Sequence, residues 1–327
     1  MPEQQQSLRR KRMIRLMTVL HYVMIPPTYL LFVPALWLAR QLGMAVKLLQ
    51  QLGPMMRNTM LKGMVGYEPR PQDVFVCSYY KSGTNWTMQI AHQIATKGQG
   101  EFAHVHDVIA WPDSMPGYAI ALKDAPIAAA TNLRIIKTHL SFNHIAYSPQ
   151  ARYIAVVRNP KDAYVSAYHF SRDTMFGPMM FSVPDFLAYF LDDTFIFEPW
   201  GHFTNSYWQQ RHRPNVLFMT YEEMKKDLPG TVQRVADFMG VELSQAEFAL
   251  VCEKSSFAYM KAIDHKFYPG RIMPWSSPNG KMMRQGKTGT SSELLTPEQQ
   301  QHIEEHFRAK LQQMGSDFPY DEWFATH

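Results

Sequence analysis

The chain has 327 residues, 46% of them hydrophobic and 13% aromatic, which excludes a disordered chain and allows one large domain or two smaller ones. Its formal charge of +5 favours an anionic ligand or surface, although Arg9, Arg10, Lys11, Arg12 and Arg15 could alone account for the excess. No finger, RNP-like or basic-helix signature is present, so no nucleic acid partner is expected, and Cys77 and Cys252 are too few for a disulfide framework and lack metal-ligand spacing.

After the basic cluster comes Leu16 to Ala39, "LMTVLHYVMIPPTYLLFVPALWLA", 24 residues without a formally charged side chain. At ~1.5 Å per residue in a helix, that length covers a hydrocarbon core of about 30 Å. Pro26, Pro27 and Pro34 argue against one unbroken helix. A small-residue cleavage pattern is missing, which disfavours a secretory signal. Three readings stay open: a spanning helix, a surface or hairpin-like anchor broken at Pro26-Pro27, and a segment packed on its own domain or on a dimer partner. Leu42 to Met64 reads as an amphipathic helix suited to anionic lipid. Residues 1–66 are therefore expected to form a hydrophobic helical extension, with membrane association as its expected role.

"YEPRPQD", Tyr67 to Asp73, breaks the helical pattern, which places the boundary of a second domain, 67–327, at this point. From there short apolar strands alternate with helical segments. "VFVCSY" from Val74 is a strand, with Cys77 expected as a buried free thiol in keeping with a reducing, cytoplasmic setting. "TNWTMQIAHQIA" is a helix with Trp86, Ile90 and Ile94 on one face. "RIIKTHL" (Arg134 to Leu140) and "RYIAVVRNP" (Arg152 to Pro160) are further strands, the latter followed by the helical "KDAYVSAYHF". "NVLFMTYEEM" is the fourth strand, and "VQRVADFMG" a helix stopped by Gly240. The pattern predicts a three-layer αβα fold around a central, mainly parallel sheet. Ligands in such folds sit beyond the carboxyl ends of the strands. Those ends carry Lys81 to Thr84, then Lys137 and His139, then Arg158, then Tyr221.

In "KSGTNW", Gly83 permits a tight turn and the following helix points its positive end at the same place, a setting that suits a phosphate. An ordinary strand–turn–helix connection with a solvated lysine would look much the same. Lys137 and His139, two residues apart, project from one side of a strand end. They can supply a base and a charge to steady a developing anion, or His139 is simply a core histidine bonded to a carbonyl. Arg158 with Ser166 suits a terminal phosphate; the competing reading holds Arg158 in a pair with Asp162.

"YYKSGTNW", "IIKTHL", "VVRNPKDAYVSAYHF", "MTYEEMKKD", "SSFAYM" and "MRQGKTG" follow one another in the order and rough spacing of the cytosolic-type sulfotransferases, which the chain resembles over roughly Val74 to Gly289. The resemblance implies a P-loop-type fold and 3′-phosphoadenylyl sulfate (PAPS) as co-substrate, with no metal. It implies that Lys81, Ser82, Gly83, Thr84, Asn85 and Trp86 hold the 5′-phosphosulfate. Arg158 and Ser166, then Arg284 and Gly286, would bind the 3′-phosphate, and Tyr221, Ser256 and Phe257 the adenine side. His139 matches the general base, and Lys81 and Lys137 the lysines that assist the leaving phosphate. The acceptor would be a small hydroxyl or amine compound, with a lipid-like one favoured by the aromatics of Phe102 to Tyr118 and of "SFNHIAY", together with Phe170, Met175 and Phe176.

The chain departs from the family where RKGxxGDWK reads "RQGKTGTSSEL": Gln285 replaces a lysine, for which Lys287 could substitute. The dimer motif KxxxTVxxxE is not evident, and no oligomeric state follows. Two alternatives remain. A P-loop kinase or NTPase would need GxxxxGK[ST] and a Walker-type aspartate, neither of which is clear; a membrane-tethered nucleotide-binding protein without catalysis would not need Lys81, Lys137 and His139 together.

Overall fold

The computed structural model describes residues 33–114, 118–269 and 280–325. The basic cluster Arg9 to Arg15 and the apolar run as far as Phe32 lie outside them. No helix among the described residues is long and apolar enough to cross a membrane.

Two helices come first: α1 (Val33–Gln41), with Pro34 in its opening turn, and α2 (Ala45–Leu61). The expectation for Leu42 to Met64 needs one correction. α2 is not free to offer its apolar face to lipid, because Ala45, Leu49 and Gly53 are buried in the core of the domain that follows. Backbone approach explains Gly53, since a Cβ there would lie 2.0 Å from the carbonyl oxygen of Thr194.

The sheet has strands β1 (Asp73–Ser78), β2 (Arg134–Thr138), β3 (Arg152–Val157) and β4 (Val216–Thr220), all parallel, in the order β2-β1-β3-β4. Strict alternation sends successive side chains to opposite faces. Phe75, Cys77, Tyr153, Ala155 and Phe218 join one core; Val74, Val76, Ile154, Val156 and Met219 join the other. Both faces are covered, as the near-continuous apolar strands require. Over the second face lie α3 (Thr84–Ala95), α8 (Leu228–Met239) and α9 (Gln245–Ser255). Over the first lie α4 (Pro160–Ser171), α5 (Val183–Leu191), α6 (Trp200–Trp208), α11 (Pro297–Gln313) and α12 (Tyr320–Phe324). The short α7 (Tyr221–Lys226) and α10 (Phe257–Ala262) complete the described helices. The result is the expected α/β architecture, with Cys77 free and fully buried.

Boundaries follow local chemistry. The fourth apolar run ends earlier than expected: Thr220 accepts from the Glu223 N–H while Glu223 caps Thr220 in return, turning "YEEM" into α7. Gly240, at φ 70°, stops α8 in a left-handed cap. At the opposite end of the sheet from the strand tips, the fully buried Asp73 receives two bonds from Arg134, at 2.8 and 2.6 Å, and Tyr67 donates to it as well. Truncation of Asp73 to Ala would strand the guanidinium without its partner. It should cost about 3–5 kcal/mol in denaturant unfolding, with an unchanged m-value.

Candidate active site

All four strand ends deliver polar residues to one edge, and β1 is flanked by β2 and β3 there, so the chain reverses its direction of growth at β1. The loop after β1 is tightly wound. Lys81 has φ 64° and Gly83 φ 94°; a Cβ on Gly83 would lie 2.7 Å from Cδ2 of Tyr221. A left-handed non-glycine residue at Lys81 carries strain, which the surrounding packing holds in place. The Ser82 amide donates to the Tyr79 carbonyl at 3.0 Å, and the Thr84 hydroxyl bonds that of Ser78 at 2.9 Å. Thr84 to Trp86 then open α3, whose first N–H groups face the loop. Ser82 Oγ is buried with no partner among the described residues.

β2 ends beside this loop. His139 lies against Ser78, and its Nδ1–H donates to the Ser78 carbonyl at 2.7 Å. The core-histidine reading is thus correct in its hydrogen bond, yet that bond puts the proton on Nδ1 and leaves the Nε2 lone pair available. Burial, followed by the charge of Lys137, drives the His139 pKa well below its ordinary value and keeps the ring neutral. Tyr80, Trp111 and Phe197 meet the imidazole ring edge-on, with centroids 6.2, 5.5 and 5.3 Å away. Phe170 and Phe195 pack on Tyr80 behind them.

The two lysines are destabilised cations. Burial lowers Lys137 to about 7, with Asp113 opposing and Lys81 assisting the fall; its Nζ sits 3.2 Å from the Trp111 ring centroid. Burial and then the charge of Arg158 lower Lys81 to about 7, and its Nζ lies over Phe170 at 4.2 Å. Asp113 is the carboxylate of this group. It is 2% exposed and accepts the His139 amide at 2.9 Å, while burial pushes its own pKa up.

Arg158, at the tip of β3, meets the Asp162 of the competing reading, but at long range. Its Nη2 reaches Asp162 at only 3.5 Å and donates to the Lys287 carbonyl at 2.9 Å, and its Nε is buried without a partner among the described residues. The guanidinium stacks over Tyr221, 4.5 Å from the ring centroid. Asp162 instead receives the amides of Gly289 and Thr290, at 2.8 and 2.9 Å, which fastens the segment after Arg284 onto the start of α4. Arg284 Nη1 donates to both carboxylate oxygens of Glu293, at 2.6 and 2.7 Å. A cavity of about 320 Å³ lies between Lys81, Ser166, His169, Phe170, Asp173 and Arg284.

The remaining expected residues converge on the same edge. Trp86 meets Tyr221 edge-on at 5.6 Å and donates to the Ser255 carbonyl at 2.7 Å; Ser256 caps α10 by accepting from the Tyr259 amide. Phe257 fits against Gly286, where a Cβ would lie 2.3 Å from the ring. Asn85 is half-buried at the start of α3.

Other aromatics expected at an acceptor pocket belong elsewhere. Phe102 packs on His92 and Phe267 in the second core, and Phe142 and Tyr147 pack on Tyr153. The sequence reading missed Tyr80, Phe197 and the carboxylate of Asp113. Tyr80 directly precedes the Lys81 loop, so its nearness was available; Phe197 and Asp113 arrive from distant segments. Among the described residues no group of three or more His, Cys, Asp or Glu side chains is arranged to hold a metal ion.

The sequence matches the family model for a sulfotransferase domain over residues 71–315. It is 32% identical over 250 residues to Sulfotransferase 2A2 of Mus musculus, covering 74% of this chain and 85% of that one. Mouse sulfotransferase SULT7A1, solved in complex with PAP, superposes with a TM-score of 0.61 at 26% identity over 79% of this chain and 90% of its own. Retinol dehydratase, solved with androsterone and the inactive cofactor PAP, has a TM-score of 0.65 at 22% identity over 81% and 88% of the two chains.

Replacing Asp113 by Ala leaves the buried His139 amide without an acceptor and should cost about 1–3 kcal/mol in thermal or denaturant unfolding. Asn retains an acceptor oxygen and should recover most of that loss; equal losses would show that the amide bond contributes little.

Proposed function

The chain belongs to the sulfotransferase family, and from that premise we propose that it transfers a sulfuryl group from PAPS to the hydroxyl or amine of a small, hydrophobic acceptor. The observation that carries the reading is the His139 ring, fixed with Nδ1–H on the Ser78 carbonyl so that Nε2 keeps its lone pair, beside the buried Lys137, the half-buried Lys81 and a phosphate-type loop.

His139 Nε2 takes the acceptor proton as the acceptor oxygen or nitrogen forms its bond to sulfur. The bond between sulfur and the 5′-phosphate oxygen breaks, and its electron pair leaves with that phosphate. Little charge resides on the transferred group, so stabilisation is needed at the departing diphosphate, where Lys81 and Lys137 act by position and charge. Lys81 to Trp86 hold the 5′ end; Ser82 Oγ and Arg158 Nε, both buried without partners among the described residues, fit waiting phosphate oxygens. Arg158, Ser166, Arg284 and Gly286 take the 3′-phosphate, and Tyr221, Ser256 and Phe257 the adenine. The Lys287 carbonyl accepts from Arg158, and the Lys287 side chain takes the part of the lysine that Gln285 replaces. Tyr80, Trp111, Phe197 and Phe170 form the apolar wall for the acceptor. We assign residues 67–327 to this domain and residues 1–66 to an extension that meets a membrane surface from the cytoplasmic side.

Thermal-shift titration tests the donor site: 3′,5′-ADP should stabilise the protein, and stabilisation by ATP-Mg²⁺ alone would sink the reading. His139→Ala should keep 3′,5′-ADP binding and lose on the order of 10²–10⁴-fold in transfer. Arg158→Ala should weaken 3′,5′-ADP far more than 5′-AMP.

The lysines set the pH dependence. Each has its pKa near 7 in the free protein, and a bound phosphate raises it, so binding takes up protons above pH 7. Affinity for 3′,5′-ADP should therefore be full below pH 7 and fall as pH rises towards 10. Titration calorimetry at pH 7 and pH 9 would reveal it, and Lys137→Met should flatten the profile.

A further inference from the structure

Exposed large apolar side chains are concentrated in one place. Apart from Ile127 and Tyr147, those among the described residues all fall between 37 and 65: Trp37, Leu38, Leu42, Met44, Met55, Met56 and Val65. Trp37, Leu42 and Met55 are 60%, 61% and 62% exposed. A patch of this kind on a folded surface marks an interaction site rather than ordinary scatter.

Its charge identifies the occupant. From Val33 to Gly66 the cations are Arg40, Lys47, Arg57 and Lys62, and there is no Asp or Glu. Along α2 the outward stripe runs Met44, Lys47, Gln51, Met55, Asn58, Lys62, at spacings of three and four residues, opposite the buried Ala45, Leu49 and Gly53. Arg40, Lys47 and Lys62 are exposed, whereas Arg57 turns inward to the carbonyl oxygens of Asp193, Phe195 and Phe197. Two copies packed on this face would oppose cation to cation, which disfavours a symmetric dimer. Apolar side chains including a tryptophan, interleaved with cations and free of carboxylates, match the headgroup boundary of an anionic bilayer.

The patch also backs onto the site. Arg57 ties α2 to the backbone of Phe197, which faces His139, and a Cβ on Gly63 would lie 2.1 Å from the carbonyl oxygen of Pro112, beside Trp111. We infer that the solvent face of α1 and α2, centred on Trp37, Leu42, Met44 and Met55 and flanked by Arg40, Lys47 and Lys62, docks on an anionic lipid surface and presents the acceptor wall to the membrane. The docking narrows the membrane contact of the proposed function to one surface; that an apolar acceptor enters from the lipid rests on that function.

Flotation of the full-length protein with vesicles of phosphatidylserine and phosphatidylcholine, against phosphatidylcholine alone, tests the docking. Binding should require the anionic lipid and fall with salt. The variant Trp37→Ser/Leu42→Ser/Met55→Ser should reduce the bound fraction at least tenfold, and Arg40→Gln/Lys47→Gln/Lys62→Gln should remove the preference for phosphatidylserine. Undiminished binding of the apolar variant would overturn the proposal, as would a wild-type dimer in sedimentation velocity that the variant converts to monomer with no vesicle binding in either. A retained 3′,5′-ADP thermal shift in the variants shows that they are folded, and keeps failure of docking distinct from failure of the donor-site reading.

Discussion

The arrangement around Ser78 governs the rest of the site. At the last position of β1, Ser78 pairs with Val156 of β3, and its hydroxyl bonds that of Thr84 at the start of α3. Its carbonyl, at the strand tip, has turned to accept the His139 ring at 2.7 Å. One residue therefore sets the origin of the phosphate-type loop, the first turn of the helix behind it and the tautomer of the histidine. Parallel pairing is what makes this economical. Cys77 lies level with Thr138 and Ser78 with Val156, so a single register places three strand tips side by side.

The same edge is electrostatically costly. The charge of Arg158 helps to lower the pKa of Lys81, and that of Lys81 helps to lower the pKa of Lys137, while Asp113 is the carboxylate buried next to His139. Burying charge without full compensation costs stability, which the two large cores on either face of the sheet must supply. An anion with two phosphates offsets this cost at several points at once. The site is thus poorly satisfied by its own protein, and the poverty is local.

The sheet was legible because short continuous apolar runs, bounded by polar residues and alternating with helical periods, report buried strands, and because Gly83 and Gly240 mark turns only glycine accepts at little cost. Lys81, Lys137, His139 and Arg158 were legible for a related reason: each follows or ends a recognisable strand, and parallel topology forces strand ends together. Asp113 was not, since it lies in an irregular segment 26 residues before His139 and only tertiary packing aims its carboxylate at that amide. Phe197 is a comparable case, reaching His139 from the loop between α5 and α6. The burial of α2 was half legible. Its amphipathic period predicted a surface seeker, but periodicity cannot say whether the apolar side meets lipid or protein, and α2 meets protein on one side only.

The pairing of Arg284 with Glu293 bears on how this edge responds to ligands. Both carboxylate oxygens of Glu293 accept from Nη1 of Arg284, and one of them also contacts His169 at 3.1 Å. An anion arriving at Nη1 would therefore meet a carboxylate already there. At that nitrogen the gain from binding would be a difference between two ion pairs, smaller than either. A built-in competitor of this kind would set a threshold for weak anions without any steric barrier.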